Sequence, residues 1–570
     1  MARPARPGSC RAGFDRATDA DRLGRERWDV VVVGGGITGC GVALEAVSRG
    51  LRTALVEGAD LASGTSSRSS KLVHGGLRYL ANHELRLVAG ALSERQLLLT
   101  NAPHLVHPLP FLVPLFGRDG VVAEGVAKAY STALWLYDLC GGVRIGHRHR
   151  RVEQAEVLAH QPALRTDRLV AGFVYWDAQA DDARLTLAVA RTAAGMGAAV
   201  VTRSPVVELL AGAGGRVGGV TLADGTEVRS RVVVNAGGVW AAQVAGLPGP
   251  GERAAPRLRP AKGVHLSVPA DRLPCDWAAV IPVPGDRRTV FVAPWDALGA
   301  ASSGGPGRFS YIGTTDTDYD GDLSEPLCTA ADRDALLDAV NASTGAALTP
   351  GDVRSAWAGL RPLVADQTRS RTADLSRRHL VEVSGAGLVT VTGGKLTTYR
   401  RMATDAVDAA VALAGLGRRR GPSRRLPLSG AVGWEELGSD GPLLADPSTR
   451  RHLQGRFGAD AAALDQLCRS EPSLAEPLVA GLPYRRVEAV WAVRAEMATT
   501  LDDVLSRRTR AGLLDRDATA AAAPAVARLL AGELGWDAVR EQAELDAYLA
   551  GADRQRAALR SLAGTPTAPL

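Results

Sequence analysis

Trp28-Asp29-Val30-Val31-Val32-Val33 runs directly into Gly34-Gly35-Gly36-Ile37-Thr38-Gly39, an apolar stretch closed by glycines in the spacing G-x-G-x-x-G. A valine-rich run without polar alternation, ended by glycine, predicts a strand buried on both faces. A helix-like run from Cys40 to Ser48 follows, Gly50-Leu51-Arg52 turns the chain, and a second strand, Thr53 to Val56, ends at Glu57. Strand, glycines, helix, strand and terminal acid within one unit predict a Rossmann-like α/β nucleotide-binding fold. Gly34 permits the tight turn, Gly36 lets a pyrophosphate approach the backbone, and Gly39 lets helix and strand pack closely. Gly35, Ile37 and Thr38 complete the cradle, where the helix N-terminus offers N–H groups and a positive dipole end to an anion. Glu57 is placed to accept hydrogen bonds from the adenosine ribose, and its charge disfavours a 2′-phosphate and hence NADP. This unit alone leaves FAD and NAD open.

The rest of the chain is large enough to surround such a unit. Its 570 residues exceed what one hydrophobic core usually serves, so two or three domains are expected. With 46% hydrophobic and 22% charged residues it has the balance of a folded globular protein. The six cysteines (Cys10, Cys40, Cys140, Cys275, Cys328, Cys468) form no Cys-x-x-Cys pair, which argues against a disulfide scaffold or structural zinc. No apolar run is long enough to span a bilayer. Residues 1–27 carry seven arginines and no apolar stretch, and read as a disordered basic tail rather than a secretory signal. Only four of the 67 basic residues are lysine (Lys71, Lys128, Lys262, Lys395), so these mark places where a compact ammonium is wanted.

The segment after Glu57 separates the cofactors. An NAD-type domain normally continues into another helix and strand, whereas here Leu61 to Lys71 is small and polar, as a loop laid along a longer cofactor would be. The pairing of Thr65-Ser66-Ser67-Arg68-Ser69-Ser70-Lys71 with His74-Gly75-Gly76-Leu77-Arg78-Tyr79-Leu80 resembles the flavin-dependent glycerol-3-phosphate dehydrogenase family, within the D-amino-acid-oxidase-like flavoproteins. Further segments resemble it in order: Trp176 to Leu185, Val232 to Trp240, Pro260 to His265, Ile312 to Asp316, Ala358 to Leu363, Val389 to Arg400 and Thr500 to Arg510. Asp181 and Asp182 are explained as a helix N-cap and receive no catalytic role. Tyr319-Asp320-Gly321-Asp322 lacks EF-hand spacing and reads as a turn.

The resemblance implies FAD as cofactor, held by Gly34, Gly35, Gly36, Ile37, Thr38, Gly39, Glu57, Thr65, Ser66, Ser67, Ser69, Ser70, Lys71, Val206, Ala236, Gly237, Trp240, Gly393, Gly394, Lys395, Leu396 and Thr397. It implies oxidation of sn-glycerol 3-phosphate to dihydroxyacetone phosphate by hydride transfer to the flavin. A phosphate dianion partly stripped of water needs several positive donors, for which Arg78, Arg361 and Lys395 are the candidates, with His265 also against substrate. His74 and His265 are the candidate proton acceptors, with Arg361 and Lys395 assisting. No residue cluster has metal-ligand spacing and no G-x-S-x-G elbow occurs.

The implied architecture is a discontinuous FAD domain (28–82, 165–250, 355–415) interleaved with an α+β substrate domain on an antiparallel sheet (83–164, 251–354). A linker over 416–430, read as exposed between Leu416 and Arg425, and a helical C-terminal cap over 431–560 follow. Leu105 to Phe116, apolar but broken by prolines, reads as a buried loop or a patch resting in lipid where a quinone enters. A net charge of +6 suits a peripheral position on the inner face of the cell membrane, in the cytoplasm, with a quinone as electron acceptor. No nucleic-acid signature accompanies the charge, and a homodimer is left open. The alternatives are an oxidase passing electrons to oxygen, a flavin-binding protein without turnover, and an amino-acid oxidase, whose carboxylate-and-amine substrate suits these cations less well than a dianion.

Overall fold

The computed structural model describes residues 14–80, 84–117, 122, 124–251, 256–283, 289–295, 309–364, 378–417 and 420–560. Two sheets organise them. In the first, strand Trp28–Val33 lies between Thr53–Val56 and Glu227–Asn235, and Ala199–Val201 and Leu388–Gly393 extend the parallel order on either side. His379–Val383 closes one edge antiparallel, and the hairpin Val206–Ala211/Val217–Leu222 hangs from the Glu227–Asn235 strand. Val30, Val31 and Val32 are fully buried, as a parallel strand covered on both faces requires. Each such valine contributes about 1.5–3 kcal/mol. Helix Ile37–Ser48 packs between helices Asp182–Gly195 and Tyr399–Leu413, so it is apolar almost all round.

The second sheet is mostly antiparallel and runs in the order Thr317–Asp318, Leu258–Pro269, Phe309–Gly313, Thr289–Trp295, Ala278–Pro282, Val106–Phe116, Leu169–Ala180, Leu72–Val73. Ser355–Val364 pairs along nearly the whole of Leu258–Pro269, and Arg150–Glu153 pairs with Leu169–Ala180. Helices Pro447–Phe457, Ala461–Ser470, Arg486–Glu496, Arg516–Leu534 and Ala538–Arg560 build the C-terminal part. The α/β fold with a second antiparallel sheet and a helical C-terminal region is therefore present.

Several boundaries differ from the sequence reading. Leu169–Ala180 and Ser355–Val364, expected in the FAD part, belong to the second sheet. Residues 16–25 of the expected tail form a helix, capped by Asp15 and anchored by buried Leu23 on the first sheet. The expected exposed linker docks: Asn101 Nδ2 donates to the Ser423 carbonyl, and Leu428 N–H to that of Asn101. Leu105 to Phe116 is neither loop nor lipid patch but an interior strand, Val106–Phe116. Its prolines 108, 110 and 114 share one parity, so their missing N–H groups fall along one edge and the other edge pairs continuously with Leu169–Ala180. Among the described residues no disulfide is formed, no group of His, Cys, Asp or Glu could hold a metal ion, and no helix is long and apolar enough to cross a membrane.

Candidate active site

The glycine turn is built to close tolerances. A Cβ on Gly34 would lie 2.7 Å from the Ala236 carbonyl oxygen, and one on Gly39 would lie 1.9 Å from that of Gly34. A Cβ on Gly36 would come 3.1 Å from Ser66 Oγ, which accepts the N–H of Ile37 at 2.9 Å. The polar loop thus begins at the helix N-terminus, beside Thr38. Glu57 accepts Gly35 N–H at 2.5 Å and Ala59 N–H at 2.7 Å, which fixes the carboxylate at the end of its strand. Burial raises this carboxyl above the ordinary range, and the two N–H groups oppose the shift. Ser204 N–H bonds the Glu57 carbonyl, and Val206 opens the adjoining hairpin. Backbone donors, a fixed acid and no space for side chains at Gly34 and Gly39 fit the adenosine-diphosphate portion of FAD.

Beyond Ser66 the loop crosses to the second sheet. Thr65 Oγ1 donates to the Leu360 carbonyl at 2.6 Å, and Gly64, Thr65, Arg68, Trp240 and Leu360 line a small cleft. Ala236 and Gly237 lie on the turn that meets Gly34, and Gly237 N–H bonds Asn235 Oδ1 at 3.1 Å. Residues 261, 263 and 265 pair with 361, 359 and 357, so Arg361, Gly263, Gly359, His265 and Trp357 share one sheet face. Both glycines are filled by neighbours: a Cβ on Gly263 would lie 2.4 Å from Arg361 Nη2, and one on Gly359 would lie 2.3 Å from the Arg68 carbonyl.

Arg361 is held in a fixed pose. Nη1 donates to Asp316 Oδ1 at 3.1 Å, and Nη2 to Thr314 Oγ1 and the Thr315 carbonyl at 3.0 and 3.1 Å. His265 stacks on Trp357 with centroids 5.0 Å apart, and its Nε2 lies 2.9 Å from Ser70 Oγ. Burial drives the imidazole well below the usual histidine range, and the nearby Lys71 and Arg361 cations act in the same direction. His265 is therefore neutral.

A second group forms at the other end of the Ser70–His74 segment. Consecutive left-handed residues Gly393 and Gly394 turn the chain into Lys395, Leu396 and Thr397. His74 N–H donates to Thr397 Oγ1 at 3.1 Å, and Lys395 Nζ sits 4.0 Å from the Tyr79 ring centre. His74, Tyr79, Lys395 and Thr397 are thereby brought together. The backbone of Arg78 lies in the turn Leu77–Leu80; its side chain lies outside the described residues. Gly75 N–H bonds Tyr137 Oη at 3.0 Å, and Tyr137 donates to buried Asp177, paired with Arg95 at 2.7 Å.

Two of the lysines are held in buried ion pairs. Lys71, expected on the cofactor, places its ammonium 3.1 and 3.2 Å from the Asp182 oxygens. Burial and neighbouring Arg510 bring it down to about 8, against the opposing pull of Asp182. Lys262 pairs with Asp332 at 2.6 Å. Asp181 is the expected N-cap, accepting from Ala183 and Arg184 N–H. Asp182, Trp357, Tyr311, Thr314 and Tyr137 escaped the sequence reading. Only Asp182 left a trace there, as a second aspartate where a cap needs one.

Residues 29–400 match the model of the family described as FAD dependent oxidoreductase, and residues 422–541 that of the C-terminal domain of alpha-glycerophosphate oxidase. Glycerol-3-phosphate dehydrogenase 2 of Mycobacterium tuberculosis is 42% identical over 95% of this chain and 91% of its own length. The mitochondrial glycerol-3-phosphate dehydrogenase of Mus musculus is 36% identical over 91% of this chain and 72% of its own. The crystal structure of the Bacillus halodurans glycerol-3-phosphate dehydrogenase complexed with FAD aligns with a TM-score of 0.75 at 29% identity, covering 96% of this chain and 99% of that one.

Proposed function

Since the chain belongs to the FAD-dependent oxidoreductase family, carrying the glycerophosphate-oxidase type of C-terminal domain, we propose that it oxidises sn-glycerol 3-phosphate to dihydroxyacetone phosphate. The observation that carries this reading is Arg361, clamped by Thr314, Thr315 and Asp316 on the sheet face it shares with neutral His265. A planar fork held in place binds a phosphate with little loss of side-chain freedom, and Lys395 adds a point charge. Bound FAD supplies the hydride acceptor. The protein's own residues hold the phosphate through Arg361, Lys395 and Arg78 and orient the secondary hydroxyl. They then receive its proton, with His265 Nδ1 the candidate acceptor and His74 the alternative. His265 Nδ1 is buried and meets no hydrogen-bond partner among the described residues, so in the tautomer whose Nε2–H donates to Ser70 Oγ its lone pair is unused.

Anaerobic mixing of the purified yellow protein with glycerol 3-phosphate tests this. Bleaching with that compound and not with glycerol is the expected outcome; a flavin that stays oxidised sinks the substrate assignment. We assign a quinone as the physiological electron acceptor and the cytoplasmic membrane face as the working location. In support, helix Glu124–Leu139 exposes Trp135, Leu136 and Leu139 near its C-terminal end, the last at 79%. These residues, rather than the strand Val106–Phe116, offer an apolar surface to lipid. Reoxidation of the bleached enzyme by quinone much faster than by oxygen is expected, and the reverse makes it an oxidase.

The depressed basicity of His265 sets a pH signature. The substrate phosphate dianion takes up one proton near a pH of about 6, so log kcat/KM should fall below that pH with a slope of one. A histidine titrating in its ordinary range of about 6.5 would add a second proton and a slope of two. A slope of two is incompatible with His265 as an acceptor held neutral by burial.

A further inference from the structure

Behind the loop Thr65–Lys71 lies a carboxylate that the proposed reaction does not use. The Asp182 side chain is completely buried, and capping of its helix is already served by Asp181. Asp182 Oδ2 accepts the Ser69 N–H at 2.8 Å and the Ser69 hydroxyl at 2.7 Å. Both oxygens meet the Lys71 ammonium, and Oδ1 accepts from Arg510 Nη2 at 2.7 Å. Arg510 is itself completely buried and comes from the C-terminal region. The same Nη2 donates to the Ser67 carbonyl, Nη1 donates to the Ser506 carbonyl at 2.9 Å, and Nε lies 3.5 Å from Asp181. Asp181 and Asp182 thus meet Lys71, Arg510 and Arg456 in a buried cluster, and five of its side-chain contacts fall on the backbone or hydroxyl of Ser67 and Ser69.

The opposite side of this loop faces the cofactor cradle and the reaction. Ser66 holds Ile37 N–H at the helix N-terminus, and Ser70 holds His265. The Ser69 and Ser70 carbonyls accept from Trp357 Nε1 at 3.3 Å and Tyr311 Oη at 3.0 Å. We propose that Asp182 and Arg510 are positioning residues for FAD. The C-terminal region reaches through Arg510 to Asp182 and fixes the loop Ser67–Lys71 against the cofactor. The helical region is then part of the flavin site without touching the flavin. The proposal requires FAD alone and stands whatever the substrate.

The test uses the full-length holoenzyme and reads release of FAD, by the rise in flavin fluorescence on dilution, together with the visible flavin spectrum. Ser69→Ala removes a hydroxyl hydrogen bond to the Asp182 carboxylate and the acceptor of Lys71 N–H, and should speed release by about tenfold. Arg510→Met strips Asp182 of a buried partner and should speed release by roughly a hundredfold, with a shifted flavin band, and Arg510→Lys should recover much of the loss. Should Arg510→Met fail to fold, Ser69→Ala still decides. Arg494→Ala breaks an exposed pair with Glu533 within the same helical region and should leave release unchanged. Wild-type release and spectrum in folded Ser69→Ala, or equal acceleration by Arg494→Ala, overturn the proposal.

Discussion

Gly39→Ala is expected to yield a folded chain that purifies almost colourless. The added methyl would meet the Gly34 carbonyl oxygen at 1.9 Å, and both are backbone positions with no flexible side chain to swing aside. Helix Ile37–Ser48 must then move off strand Trp28–Val33, carrying away the N–H groups that face the pyrophosphate. Overpacking of this kind costs about 1–3 kcal/mol where side chains can yield, and more where they cannot. Flavin affinity should therefore fall by on the order of a hundredfold or more. The ratio of flavin to protein absorbance measures this directly. Gly90→Ala serves as the counterpart, because nothing lies within 4 Å of its added carbon and the site is on helix Leu85–Asn101. That variant should retain full flavin and gain about 0.5–1 kcal/mol of stability. A Gly39→Ala enzyme with stoichiometric FAD would falsify the tight helix–strand approach as a condition for binding.

Arg361→Met should lower kcat/KM for glycerol 3-phosphate by roughly a hundredfold to ten-thousandfold, since two charge-assisted bonds of about 1.5–3 kcal/mol each are lost. The substitution also leaves Asp316, whose side chain is 8% exposed, without its guanidinium partner, so some loss of stability accompanies it. Discrimination separates the two effects. The wild type should prefer the phosphorylated substrate over glycerol by a large factor, and the variant should lose most of that factor. Arg361→Lys should recover part of it, because a point charge remains although the fork is gone. An unchanged preference in a variant that is merely less stable would move the phosphate site elsewhere.

The parts of this molecule legible in its sequence are those whose partners lie close along the chain. Strand, glycine turn, helix and Glu57 fall within one short unit, and their roles follow from spacing alone. The cap at Asp181 was legible for the same reason. Asp182 was not, because its partners Ser69 and Arg510 are separated from it by 113 and 328 residues. The ion pair of Lys71 was not legible, because Asp182 lies 111 residues further along the chain. Prolines made Val106–Phe116 look like a loop, since only the sheet reveals that they share one edge. Helix Arg16–Arg25 was hidden by its arginines, and a single buried leucine, Leu23, anchors it. The grouping of Arg361 with His265 depends on a strand register, which distant pairing alone sets.

The order of strands in the first sheet has a consequence in time. The neighbour Glu227–Asn235 is made some two hundred residues after Trp28–Val33, and Leu388–Gly393 joins only beyond that. During synthesis the glycine cradle and its neighbour Thr53–Val56 therefore emerge long before the strand on the other side, and Gly34 waits for Ala236 to close over it. Any chain that stops short of Gly393 lacks an outer strand of that sheet, together with the Gly394–Thr397 turn that meets His74. The pocket is thus complete only once these distant strands have joined the sheet, so its shape belongs to the assembled sheet and not to the glycine unit alone.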